Sequence, residues 1–126
     1  MFLFGSCQTK TRFDERITRE LFSKLNKEDK TSFSYGDLSF LLHDVTIEQL
    51  EKGGQDEKDF FFEDFECSCN DKMKISYNND KQQFVLEIYE ESYEADLDWC
   101  PETMYSYSFR IVGTTITDVK KEMIAG

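Results

Sequence analysis

The chain has 126 residues, 39% of them apolar and 15% aromatic, which supplies side chain for one buried core and leaves no room for a second. Its 26 acidic residues outweigh 15 basic ones to give a net charge of -11, a balance that repels nucleic acid and favours a cationic partner. One proline, six glycines and 12 phenylalanines exclude a linker or low-complexity tract, so a folded acidic domain spanning 1–126 is expected.

At the N-terminus, Leu3-Phe4-Gly5-Ser6-Cys7 has the small residues before cysteine that end a bacterial lipoprotein signal. The basic and apolar regions of such a signal are missing ahead of Cys7. Residues 1–11 are therefore read as a disordered lead or a signal remnant, with lipidation at Cys7 as the alternative. No run approaches the roughly 18 apolar residues that would span a bilayer.

Phe13, Ile17, Leu21 and Leu25 recur at every fourth position among charged residues, with Phe22 beside them, and predict an amphipathic helix over 12–27. Residues 37–42 suit a short helix or a strand. Thr46 and Gln49 have the spacing of a capping box and Gly53-Gly54 supplies a stop, which places a short helix at 47–52. An acidic loop is expected at 55–59. His43, the only histidine, follows Leu41-Leu42 in an apolar segment and is expected to be partly buried and structural.

The second half reads as strands. Phe61, Phe65, Cys67 and Cys69 share one parity; Met73, Ile75 and Tyr77 alternate with polar residues; and Asn78-Asn79-Asp80 turns the chain. Phe84, Leu86 and Ile88 continue the alternation, and Tyr105, Tyr107, Phe109 and Ile111 form a fourth run that ends at Gly113. Ile116, Val119, Met123 and Ile124 suit a last short helix or an edge strand. The fold expected is α+β, an N-terminal amphipathic helix packed on an antiparallel β-meander of about four strands.

Chemistry is harder to find. The cysteines are Cys7, Cys67, Cys69 and Cys100, and the chain is too long and too cysteine-poor for a disulfide scaffold, so a reducing cytoplasm is the expected location. Cys67-Ser68-Cys69 lacks the two-residue spacing of a zinc knuckle, and buried apolar thiols are expected in place of a metal. No nucleotide-binding loop or nucleophile motif occurs. Paired carboxylates among Glu87, Glu90, Glu91, Glu94, Asp96 and Asp98 leave a small hydrolase as an alternative, but solvated crowding gives no pair with separated pKa values. The expectation is a protein that is not an enzyme and uses no cofactor.

What remains is where the charge lies. From Glu51 to Glu102 there are sixteen Asp or Glu against five Lys, a net of eleven negatives, and the remaining residues carry ten acids and ten bases. Within that stretch Glu90, Glu91, Tyr93, Glu94, Asp96, Asp98 and Trp99 form a segment without a basic residue, in which the aromatics would anchor a partner and the acids would steer it.

In size, charge and plan the whole chain resembles the immunity proteins of bacterial toxin and immunity systems, including those of contact-dependent growth inhibition. The resemblance implies a cytoplasmic protein that binds a cognate toxin domain, often a basic nuclease, and blocks its active site or substrate surface; the sequence leaves the oligomeric state open, and a monomer is the expectation. Nucleic acid would not be a partner, nor would a membrane unless Cys7 is lipidated. An envelope lipoprotein or binding module anchored through Cys7 is the alternative.

Overall fold

The computed structural model describes residues 12–53, 56–60, 71–91 and 102–125. Three helices, α1 (Glu15–Glu28), α2 (Tyr35–Leu42) and α3 (Ile47–Glu51), precede five strands, β1 (Asp56–Phe60), β2 (Asp71–Asn78), β3 (Gln83–Glu91), β4 (Glu102–Val112) and β5 (Thr115–Ala125). The strands form one antiparallel sheet in chain order, so each pairs with the next along the sequence. This is the α+β meander that the alternating runs predict, with five strands among the described residues.

Helix α1 starts because the Asp14 carboxylate accepts the Ile17 amide at 2.9 Å, satisfying a donor that the first turn leaves open. It ends at Asp29, whose extended backbone still donates to the Leu25 carbonyl. Ile17, Leu21 and Leu25 are buried as the stripe requires, and buried Thr18 satisfies its hydroxyl on the Phe13 carbonyl at 3.2 Å. An exposed Arg19–Glu15 pair at 2.9 Å bridges successive turns in full solvent, where screening leaves it little weight.

The ambiguous stretch before residue 42 is helical. Ser34 and Asp37 close a reciprocal capping box, which fixes the start of α2 and buries Leu38, Leu41 and Leu42. Thr46 caps α3 by accepting the Gln49 amide at 3.1 Å, and Gly53, at φ +97°, ends it. His43 is a correction. Those three leucines take the inward positions of α2, so the next residue points out: the ring is exposed, stacks on Phe40 with centroids 6.1 Å apart, and sets Nδ1 2.9 Å from the Phe40 carbonyl.

A second correction concerns 55–59, expected as an acidic loop. Residues 56–60 are strand β1, paired from Asp56 opposite Ile75 to Phe60 opposite Asp71. The charged sequence Asp-Glu-Lys-Asp has little strand propensity of its own, but a sheet edge tolerates charge and takes its hydrogen bonds from β2. The run at Phe61, Phe65, Cys67 and Cys69 lies outside the described residues.

Between β2 and β3 the Asn78 side chain accepts the Asp80 and Lys81 amides at 3.0 and 3.2 Å, the turn that the Asn-Asn-Asp sequence predicts. Val112 pairs with Thr115 across Gly113-Thr114, with Gly113 at φ +67°. A Cβ at Gly113 would meet nothing within 4 Å, so only the backbone conformation demands glycine there. Gly113→Ala is expected to cost about 1–2 kcal/mol in urea unfolding, and Gly113→Asn to recover most of it. An alanine variant as stable as the parent would show that the turn relaxes freely.

All three helices cover one face of the sheet. Helix α1 lies along β5, while α2 and α3 pack on β1 and β2. Between the layers Met73, Ile75, Leu86, Ile88, Tyr107 and Phe109 meet Leu21, Leu25, Leu38 and Leu50, and Phe84 sits edge-on to Phe13 and stacks on Phe109. The Arg16 guanidinium donates to Thr114 at 3.4 Å, so α1 begins beside the β4–β5 turn and runs toward the opposite end of the sheet.

Candidate functional site

At that opposite end the chain leaves the sheet for its two base-free acidic sequences and re-enters it. Register pairs Phe60 with Asp71 and Glu91 with Glu102, and Lys72 faces Tyr89, so the chain leaves β1 and β3 at one end of the sheet and re-enters β2 and β4 there. The intervening sequences both lack Lys and Arg. Glu63, Asp64 and Glu66 belong to the first and Glu94, Asp96 and Asp98 to the second, while Asp71, Glu90, Glu91 and Glu102 stand on the strand ends that flank them. Of the residues expected to bind a partner, Glu90 and Glu91 fall within described strands; Tyr93, Glu94, Asp96, Asp98 and Trp99 lie outside the described residues. So do Cys7, Cys67, Cys69 and Cys100.

Glu90 is half-buried on the helix-facing side of β3, continuing the parity of Leu86 and Ile88. Its carboxylate accepts from the Ser32 hydroxyl and, at 3.2 Å, from the Tyr105 hydroxyl, while Ser32 Oγ and Tyr105 OH are themselves 2.7 Å apart. A serine from the α1–α2 connection, a glutamate from β3 and a tyrosine from β4 thus bring their oxygens into one triangle, in which the two hydroxyl protons make two hydrogen bonds at a time. It ties the base of the acidic segment to the helical layer.

Next to it Lys121 of β5 reaches Asp29 at 2.7 Å and lies over the Tyr105 ring, 4.4 Å from its centroid. Lys121 holds the Asp29 carboxyl below the usual carboxylate range, through the hydrogen bond first and charge second. The Tyr107 hydroxyl donates to the Asp29 backbone carbonyl at 3.4 Å. Burial raises both phenols. Tyr107 is pushed up to about 12, with the charges of Asp29 and Glu90 adding to the effect. Tyr105 rises further, mainly by burial; Glu90 adds to the rise and the Ser32 bond opposes it.

Among the described residues no group of three or more His, Cys, Asp or Glu side chains is arranged to hold a metal. What the arrangement does chemically is to bond the Glu90 carboxylate to two hydroxyls and to anchor the strand end from which the acidic segment departs. Sequence reading missed Ser32, Tyr105, Asp29 and Lys121 as a unit, because pairs separated by 58 or 92 positions leave no local pattern. Among the described residues no helix is long and apolar enough to cross a membrane. Comparison with protein families, with curated proteins and with solved structures finds no match to the chain.

Proposed function

We propose that the chain is an inhibitor of the immunity type, a cytoplasmic protein that binds a basic bacterial toxin domain through the acidic end of its sheet. The supporting observation is the coincidence of charge with topology. The whole net charge of the chain lies between Glu51 and Glu102, and both base-free acidic connections leave the sheet at the same end. Carboxylates so collected raise the local potential, draw a cationic surface into encounter and occupy the groove where a nuclease would receive phosphates. Tyr93 and Trp99 would supply the apolar anchors that such steering lacks. Glu90 serves a different purpose, since it is bonded inward and sets the position of the strand end.

The test is coexpression with candidate basic toxin domains, scored by survival, followed by association kinetics at two salt concentrations with any domain that the chain neutralises. Replacing Glu91, Glu94, Asp96 and Asp98 with Gln or Asn is expected to slow association about 10-fold at low salt and to flatten its salt dependence, with little change in melting temperature. Trp99→Ala is expected to speed dissociation and cost about 2 kcal/mol or more of affinity, with a melting curve to separate anchoring from unfolding. Full protection and an unchanged association rate in the four-site variant would remove the acidic segment from the mechanism.

A further inference from the structure

A second interaction surface lies on the other flank of the molecule, on observations independent of the acidic end. Strand β5 is the last in the sheet, and among the described residues no strand pairs with its outer edge. The outward amide and carbonyl groups of this strand, whose alternation is interrupted by two register shifts, therefore have no ladder partner among the described residues. Beside that edge runs α1, and between them lies a groove of about 400 Å³ floored by Ile116 and Val119. Lys24 and Lys27 form its helical wall. Neither has an ion-pair partner among the described residues. The local acids are Glu28, which shares the wall, and Asp118, which is engaged by Arg110 at 3.7 Å. Although the protein as a whole is strongly acidic, the sequence outside 51–102, to which both α1 and β5 belong, is balanced in charge.

We infer that this groove takes an extended acidic segment of a partner protein, added to β5 as a further strand with carboxylates at alternate positions facing Lys24 and Lys27. Backbone hydrogen bonds to the free edge would give the affinity, and alternation of side chains across a strand would give the selectivity, because only one parity of the guest faces the helix. The β5 edge is guarded against indiscriminate pairing. Arg110 pairs with Thr117 but Ser108 with Lys120, and this bulge, with Asp118 at φ +56°, bends the strand beside the groove. Lys120, Lys121 and Glu122 add charge farther along. A second copy of the chain is therefore a poor guest and a charge-matched one a good guest.

The probe is a synthetic peptide of alternating Glu and Val, with Lys/Val and N-methylated Glu/Val peptides as controls, titrated into the isotopically labelled full chain. Saturable binding of the acidic peptide is expected, with the largest amide shifts over 115–125 and at Lys24 and Lys27. The double substitution Lys24→Glu with Lys27→Glu should weaken it at least about 10-fold, and N-methylation should abolish it. Equal binding of the Lys/Val peptide would overturn the proposal, as would shifts centred on other strands or no saturation by about 1 mM. So would a doubled solution mass with β5 amides already protected, which would mean that a second copy holds the edge. Because the peptide reads β5 and α1 while toxin binding reads the acidic end, failure of either reading leaves the other to be judged separately.

Discussion

Leu21→Ala is expected to cost about 2–5 kcal/mol of unfolding free energy, with the urea dependence unchanged. Leu21 is fully buried at the centre of the α1 stripe, where truncation removes transfer energy and also leaves a cavity between two packed layers. Against a total of roughly 5–15 kcal/mol for a domain of this size, that loss is large enough to populate unfolded chain near physiological temperature. Ser23, exposed on the outer side of the same helix, is the control, and Ser23→Ala should move stability by no more than about 0.5 kcal/mol. If the two substitutions had equal effects, α1 would not be the lid of the core.

The reason Leu21 can be chosen from sequence is that a four-residue apolar period survives folding unaltered. Helix α1 follows from that period, and β2, β3 and β4 follow from a two-residue alternation. For β5 the sequence leaves a short helix and an edge strand both open, the second being the one found, and its bulge explains the ambiguity: an extra residue at Asp118 breaks the two-residue alternation, so Ile116, Val119 and Met123 fall three and four apart and imitate a helix. Strand β1 was invisible for a different cause. Its composition is that of a loop, and only the hydrogen-bonding edge of β2 makes it a strand. For α2 the signal was present in Ser34 and Asp37, a capping pair just upstream of the apolar residues whose period was undecided.

The site divides in the same way. Concentration of carboxylates between 51 and 102 is a property of sequence and needs no structure. That the two base-free stretches depart from one end of the sheet is a property of topology, fixed by antiparallel pairing in chain order. The Ser32–Glu90–Tyr105 triangle belongs to neither, since it depends on α1 delivering its C-terminal connection beside the end of β3. Glu90 therefore reads in sequence as one more member of an acidic run and in the fold as a carboxylate already bonded to two protein hydroxyls.

Raising the pH should expose the cost of burying the two phenols behind that triangle. Tyr105 is 5% exposed and Tyr107 fully buried, and both hold their protons above the ordinary value of 10.0, Tyr107 to about 12. In the unfolded chain the same groups ionise near 10, so the unfolded state gains free energy from ionisation first. The contribution to stability is complete below about pH 10 and is lost as the pH rises from there toward and beyond 12. Tyrosinate absorbance should accordingly show some of the six tyrosines titrating normally and the buried pair appearing only with loss of the folded circular dichroism signal. Replacing Tyr107 with Phe removes one ionisable hydroxyl while keeping the ring between Phe33 and Tyr105, and should flatten the fall in stability between about pH 10 and 11. Because that substitution also gives up the 3.4 Å bond to the Asp29 carbonyl, its effect at neutral pH must be measured alongside and subtracted. Ordinary titration of every tyrosine with the fold intact would mean that water reaches both hydroxyls, and that the layer joining α1 to β4 opens far more readily than its packing implies.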